Sequence, residues 1–393
     1  MMTIYKMPES SILKKLLQKK HEKKHVGKTI LSIGITAVAF LNLRLWQRDK
    51  RLLTELKAEI NREALLSYTP KISVLVAAWN ERANIEAHLL SFKNLTYPDI
   101  ELILCAGGAD NTLELACRHV AENILILEQF PGEGKQHALS RCYERASGEL
   151  IYLTDADCLY QDRALLYLLE PVTENGEQAV TGASRPWDCQ MGKPLPDYLW
   201  ASDTVSSARS PHYIQGLLGR NTVITRQALD RSGGMNFPAS SGTDYQLARR
   251  LVSSGVRIRY VRASQIPTVY PEALGVYRRK QSRWLRNLLQ YGWQYRAKQD
   301  LWLTVKTVSI GLIMLVCPLL ALLFRSKTLA IWFLVLTHSV FSKMRYLRFT
   351  AKLYQRPISP RTLLYLLPLT LADFFIWASP LLDMFLSRNR IRW

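Results

Sequence analysis

Residues 150–157 read LIYLTDAD, an apolar run that stops abruptly at two carboxylates, Asp155 and Asp157. A short apolar run bounded by a polar break is the pattern of a strand buried on both faces. We expect a strand over 150–156 with both carboxylates at its carboxyl end. Side chains two residues apart on a strand point to one face, so the pair would repel. A divalent cation removes that repulsion, because Mg2+ or Mn2+ is held by one or two carboxylates with substrate phosphates supplying further oxygens. A solvated turn with helix-capping aspartates is the competing reading of an isolated Asp-x-Asp.

Working outward, ISVLVAA (72–78), IELILCA (100–106), ILILE (124–128), AVTGA (179–183) and VRIRYV (256–261) are further strand candidates. Helical patterns lie between several of them, at 82–92, 111–121 and 134–146. Alternating strands and helices predict an α/β fold with a mostly parallel, doubly wound sheet. Such sheets bind ligands beyond the carboxyl ends of their strands.

Those ends carry the other candidate residues. Asn80-Glu81 follows the first strand, placed either to meet a ligand or to cap the next helix. Gly107-Gly108 after the second strand permits a tight turn, with Asp110 as a helix cap. Gly134-Lys135 opens a helix and offers amides and a cation to a phosphate, without the spacing of a Walker loop. Asp244 stands at the start of an amphipathic helix, as a cap or as a general base. Arg283-Trp284 sits in a basic, aromatic stretch that suits either a membrane interface or a diphosphate.

The net charge of +20 suggests nucleic-acid binding until it is divided along the chain. Residues 1–70 carry +8, 71–301 only +2, and 302–393 carry +10. The excess lies in the flanks beside the apolar runs, the pattern of membrane ends, and nucleic-acid binding is disfavoured. Residues 307–324 are an uncharged run of 18, and 362–386 a run of 25 with two aspartates, both long enough to span ~30 Å of hydrocarbon. The apolar stretches 328–341 and 29–43 are shorter. We divide the chain into a basic tail (1–28), an N-terminal membrane segment (29–46), a juxtamembrane helix (47–70), a catalytic domain (71–277), amphipathic interface helices (278–301) and a C-terminal membrane region of about three helices (302–393). Basic residues from Lys343 to Arg361 favour a cytoplasmic loop. Residues 29–43 are expected to be re-entrant or interfacial, since a single crossing would translocate seven lysines between Lys14 and Lys28. Those lysines form either an amphipathic helix on anionic lipid or a solvated tail. Six scattered cysteines without a C-x-x-C pair read as packing thiols in a reducing compartment.

Taken in order, Asn80-Glu81, Gly107-Gly108, Gly134-Lys135, Asp155-x-Asp157, Asp244 and Arg283-Trp284 resemble the motifs of the family 2 inverting glycosyltransferases of GT-A fold, over about residues 70–295. The C-terminal helices resemble the cellulose, chitin and hyaluronan synthase branch. The resemblance implies a membrane-bound enzyme that moves a sugar from a nucleotide-sugar donor, a uridine diphosphate sugar in most members, to a lipid or glycan hydroxyl. It implies that Asp157 and Asp155 hold the metal, that Asn80, Glu81, Gly107, Lys135, Asp155 and Arg283 bind donor, that Asp244 is the base and that Trp284 lines the acceptor side. Two departures stand out. Cys105-Ala106 occupies the place of a common Asp-Asp, and Lys280 that of the glutamine in Q-x-x-R-W. The second leaves single addition and processive polymerisation both open. A non-catalytic membrane scaffold that binds nucleotide is the alternative from another class.

Overall fold

The computed structural model describes residues 9–239, 241–324 and 326–386. No proline interrupts the chain between Pro8 and Pro70, and helix α1 runs unbroken over Glu9–Asn61. From Glu9 to Asn61 the tail, the membrane segment and the first part of the juxtamembrane stretch lie on one helix. This removes the re-entrant reading of 29–43, which needs a turn that α1 does not make. The side chains of Lys14–Lys28 lie outside the described residues. Buried Asp49 of α1 bonds Arg209 at 2.8 Å and pairs with Arg345.

The α/β layers follow. Strand β1 (Ile72–Trp79) leads through α2 (Ile85–Lys93) to β2 (Ile100–Gly107), then α3 (Thr112–Cys117), β3 (Ile124–Glu128), α4 (Gly134–Arg145) and β4 (Leu150–Leu153). Helix α5 (Asp162–Asn175), β5 (Ala179–Pro186), α6 (Pro194–Arg209), β6 (Tyr213–Ile214), β7 (Thr222–Thr225), α7 (Arg226–Arg231), α8 (Thr243–Ser253) and β8 (Ile258–Thr268) complete the unit. The strands form one sheet ordered β3-β2-β1-β4-β7-β5-β8-β6. Pairs β3-β2, β2-β1, β1-β4 and β5-β8 are parallel, whereas β7 is antiparallel to both its neighbours and β6 to β8. The sheet is therefore mixed. The expectation of a mostly parallel sheet holds, with four parallel pairs, and the antiparallel pairs are those made by β6 and β7, segments of two and four residues that give no period to read.

Alternate side chains of β1 feed two cores. Ile72, Val74 and Val76 pack on one face with Leu89 and Phe92 of α2, and Leu75 on the other with Leu139 of α4. Both faces are covered, which is why the strands read as continuous apolar runs. Pairing of β4 ends at Leu153, not at residue 156, and Asp155–Asp157 form a turn beyond it. Because β2 lies on one side of β1 and β4 on the other, the crevice past β1 and β4 is the switch point where such sheets bind ligands.

Beyond the sheet come α9 (Leu274–Gln294), α10 (Lys298–Phe324), α11 (Ser326–Leu353), α12 (Pro360–Leu364) and α13 (Leu366–Leu386). Among the described residues one helix is long and apolar enough to cross a membrane, over Lys298–Ala321; Leu366–Pro380 is apolar but shorter. Of the membrane-spanning helices expected at both ends, this one in the C-terminal region meets that test among the described residues. The apolar part of α1 is too short and its flanks too basic, and 362–386 is split at Tyr365 into α12 and α13. The stretch 328–341 is the first half of the 28-residue α11, whose second half packs on α6.

Candidate active site

Four loops converge on the switch point. After β1, Asn80 adopts φ 57°, its N–H donates to Gly107 O at 3.1 Å, and its Oδ1 accepts from Ala109 N at 2.8 Å. Asn80 thus ties the exits of β1 and β2 together. Gly108, at φ 121°, is needed for this approach, since a Cβ there would lie 2.3 Å from Asn80 Oδ1, and Gly107 leaves room for Gln129 O past β3, 2.3 Å from where its Cβ would stand. Glu81 accepts from Asn84 Nδ2 at 2.8 Å. Burial, reinforced by Asp157 and Asp155, pushes its carboxyl above the usual range although Asn84 and Lys280 oppose.

The carboxylates past β4 are held by cations. Lys135 Nζ, from the first turn of α4, lies 2.5 Å from Asp155 Oδ1. Burial alone would raise the Asp155 carboxyl, but Lys135, Arg220 and Lys280 together hold it below the ordinary value. Burial likewise disfavours the charged Lys135, and Asp155, Asp244 and Asp157 outweigh it to raise the ammonium's pKa. Asp157 Oδ1 accepts from Thr268 Oγ1 at 3.2 Å and from the Cys158 thiol at 3.5 Å, while its backbone carbonyl accepts from Trp187 Nε1 at 3.0 Å. Beneath this turn, fully buried His88 joins Cys158 O at 2.7 Å through Nδ1 and the Tyr160 hydroxyl at 3.0 Å through Nε2.

Asp244 is the second residue of α8, behind Gly242 at φ 64°. Its carboxylate packs on Gly219: a Cβ at 219 would meet Asp244 Cγ at 2.6 Å and its oxygens at 2.8 and 2.9 Å. The next residue, Arg220, was not singled out from the sequence. Burial opposes its charge, but Asp155 and Asp157 raise its pKa, which places its guanidinium in the field of the carboxylate pair. No helical or strand period marks the loop 215–221, and Gly219-Arg220 beside the short β7 is the only sequence signal it carries. On α9, Arg283 and Trp284 are exposed. Among the described residues no hydrogen bond or ion pair joins either to the carboxylates, and the α9 cation in the field of Asp155 and Glu81 is Lys280.

Beyond geometry, the description "glycosyltransferase like family 2" matches residues 70–287, more than half of the chain. The chain belongs to this glycosyltransferase family. It is 27% identical over 252 residues to the poly-beta-1,6-N-acetyl-D-glucosamine synthase of Staphylococcus epidermidis, covering 62% of this chain and 60% of that one. It is also 27% identical over 233 residues to the probable glycosyltransferase YdaM of Bacillus subtilis, covering 55% of each. The chain thus spans about 60% or less of the length of these relatives. Among solved structures, the mannosyltransferase PcManGT from Pyrobaculum calidifontis, in complex with GDP-Man and Mn2+, aligns with a TM-score of 0.53 at 17% identity, over 92% of this chain and 100% of that one. That likeness shows the fold, an α/β GT-A architecture with a mixed sheet.

In this glycosyltransferase the carboxylates fit a divalent cation of the kind that keeps open positions. Among the described residues no three acidic, histidine or cysteine groups make a closed cage. Mg2+ and Mn2+ do not need one, since one or two carboxylates and substrate phosphates suffice. The mutual field of Glu81, Asp155 and Asp157 marks where positive charge is wanted.

Proposed function

We propose that this family 2 enzyme transfers a sugar, with inversion, from a nucleoside diphosphate sugar to a glycan hydroxyl, and that the site past β1 and β4 is where it does so. The observation that carries this reading is the meeting of Lys135, Asp155 and Arg220 with Asp244 around one crevice. As the sugar leaves, negative charge grows on the departing diphosphate and positive charge on the anomeric carbon. Fixed cations aimed at the first stabilise the transition state without reorganising. Lys135, Arg220 and Lys280 supply them from three separate elements.

Asp157 and Asp155 would hold Mg2+ or Mn2+, which when bound supplies Lewis-acid stabilisation of the leaving diphosphate. Glu81 and the backbone shaped by Asn80 and Gly107 would border the nucleoside. Asp244 would take the proton from the acceptor hydroxyl as its oxygen attacks. It lies in the field of the same Lys135 that pairs with Asp155, and a single in-line displacement would have base and leaving group flank the ring from opposite faces. Arg283 and Trp284, exposed on α9, would border the acceptor.

The named synthase relatives make N-acetylglucosamine the first sugar to test. Exposed apolar side chains, among them Phe40, Ile313, Leu319, Phe333 and Leu367, support a multi-pass, bilayer-bound protein, and the basic residues from Lys343 to Arg361 are the ground for putting its catalytic domain on the cytoplasmic side. Membranes holding the full chain, incubated with labelled UDP-N-acetylglucosamine and other labelled nucleotide sugars plus Mn2+ or Mg2+, should incorporate label. Alcohol-insoluble label supports a polysaccharide product, and label extracted into organic solvent replaces the glycan acceptor by a lipid. Asp244→Asn should abolish transfer while donor binding persists; unchanged transfer removes Asp244 as the base.

A further inference from the structure

Asp373 lies at the middle of α13 among apolar neighbours and is 1% exposed. A carboxylate in such a place is costly unless paired and hydrogen-bonded. It is fully engaged, and its partners come from three other helices. The Tyr198 hydroxyl of α6 donates to Oδ2 at 2.6 Å, the Tyr277 hydroxyl of α9 donates to Oδ1 at 2.8 Å, and Lys343 Nζ of α11 lies 2.9 Å from Oδ2. Lys343 also donates to Ser202 Oγ at 3.0 Å and stands over the Tyr198 ring at 4.3 Å.

Of these partners, Tyr277 belongs to an element that also touches the loop before Asp244. Ten residues further along α9, about 15 Å by helical rise, Asn287 Oδ1 accepts from Ser241 Oγ at 3.0 Å. One turn on, the Tyr291 hydroxyl donates to Ser241 O at 2.8 Å, and its ring stacks on Tyr245 with centroids 5.9 Å apart. A Cβ on Gly242 would lie 2.8 Å from the Tyr291 ring. The two residues α9 grips, Ser241 and Gly242, precede Asp244 by three and two positions. Helix α9 is thus a rod pinned at one end to the C-terminal helices and at the other to the base loop.

We propose that Asp373 is a positioning residue: through Tyr277 it sets the register of α9 and so the place of the Asp244 carboxylate against its acceptor. This rests on the reading of Asp244 as the base. Asp373 touches no reacting group, and the Lys135–Asp155 pair does not depend on it.

The test compares two variants that each delete one hydroxyl from the same carboxylate, Tyr277→Phe and Tyr198→Phe, in the full chain with Asp244→Asn as reference. Release of UDP from UDP-N-acetylglucosamine, or from whichever donor the panel identifies, gives kcat and KM, and thermal unfolding reports folding. Displacements near 1 Å cost as much as 100-fold in rate, so a partial slip of α9 should lower kcat about tenfold in Tyr277→Phe with donor KM unchanged. Tyr198→Phe should hold kcat within about twofold at a similar loss of thermal stability. Equal effects of the two variants on kcat, or none from Tyr277→Phe, overturn the proposal and leave only a structural hub. If Asp244→Asn is inactive while Tyr277→Phe turns over normally, the positioning proposal alone falls. If Asp244→Asn turns over, the base reading falls first and takes the proposal with it.

Discussion

Replacing Gly219 by alanine adds one methyl group aimed at the proposed base. Gly219 is not among the glycines at positive φ, so its backbone accepts alanine without strain, and the effect isolates the contact. The new Cβ would lie 2.6 Å from Asp244 Cγ, where ordinary contact begins near 3.4 Å, so the carboxylate must retreat by about 0.8 Å. A shift of that size at a reacting group costs on the order of 100-fold in rate, equivalent to about 2.7 kcal/mol of activation free energy. Lys135, Asp155 and Asp157 are untouched, and donor affinity should hold. Initial rates of nucleoside diphosphate release, with calorimetric donor titration and thermal unfolding as controls, should show kcat reduced about 30- to 100-fold, donor KM within about twofold and a folded protein. A Gly219→Ala enzyme that is folded and turns over at the original kcat would refute the placement of Asp244 at the reacting centre.

Other perturbations read other parts of the site. Lys135→Met removes the cation nearest Asp155, so the carboxyl's pKa should rise; the acid limb of the kcat/KM profile should move to higher pH, and an unmoved limb would separate Asp155 from catalysis. Asp157→Asn should raise the Mn2+ concentration for half-maximal rate at least tenfold, measured in chelator-buffered metal, whereas an unchanged requirement would put the metal elsewhere. Burial pushes His88 down to about 4. The unfolded chain takes up this proton near pH 6.5 while the folded chain resists until about pH 4, so stability should fall as pH drops through that window, by roughly 3 kcal/mol in all. Denaturant midpoints at pH 7.5 and 4.5 should differ more for the original chain than for His88→Asn, and equal differences would contradict the burial of a neutral imidazole.

The parts of the sheet that were legible are those with long apolar strands. Both faces of β1 and β2 are buried, so their sequences are continuous apolar runs, and the glycines and acids at their ends punctuate them. Strands β6 and β7 are set by neighbours and carry no period of their own. The expected strand runs on to residue 156, yet pairing with both neighbours, β1 and β7, ends at Leu153. At the site, Lys135 and the Asp155–Asp157 pair were legible because each follows an element boundary. Arg220 was not, because its role arises when loop 215–221 folds back over β4, a long-range contact without local signature. Lys280 was noticed as a departure, and the structure turns it from a missing glutamine into a cation in the field of Asp155. At the membrane ends the apolar stretches were legible but the helices that hold them were not: α1 and α11 extend far beyond their apolar stretches, and Asp373 is a pinned contact and not an interruption.

The account depends most on a cation shared between the acids past β4 and a nucleotide's phosphates. Anomalous diffraction from crystals of the full chain grown with UDP and Mn2+ tests this directly. A manganese peak within coordination distance of an Asp157 or Asp155 oxygen, bridged to the diphosphate with Lys135 and Arg220 alongside, is the predicted result. UDP bound at another surface, or bound in this crevice with no manganese beside either aspartate, would contradict it.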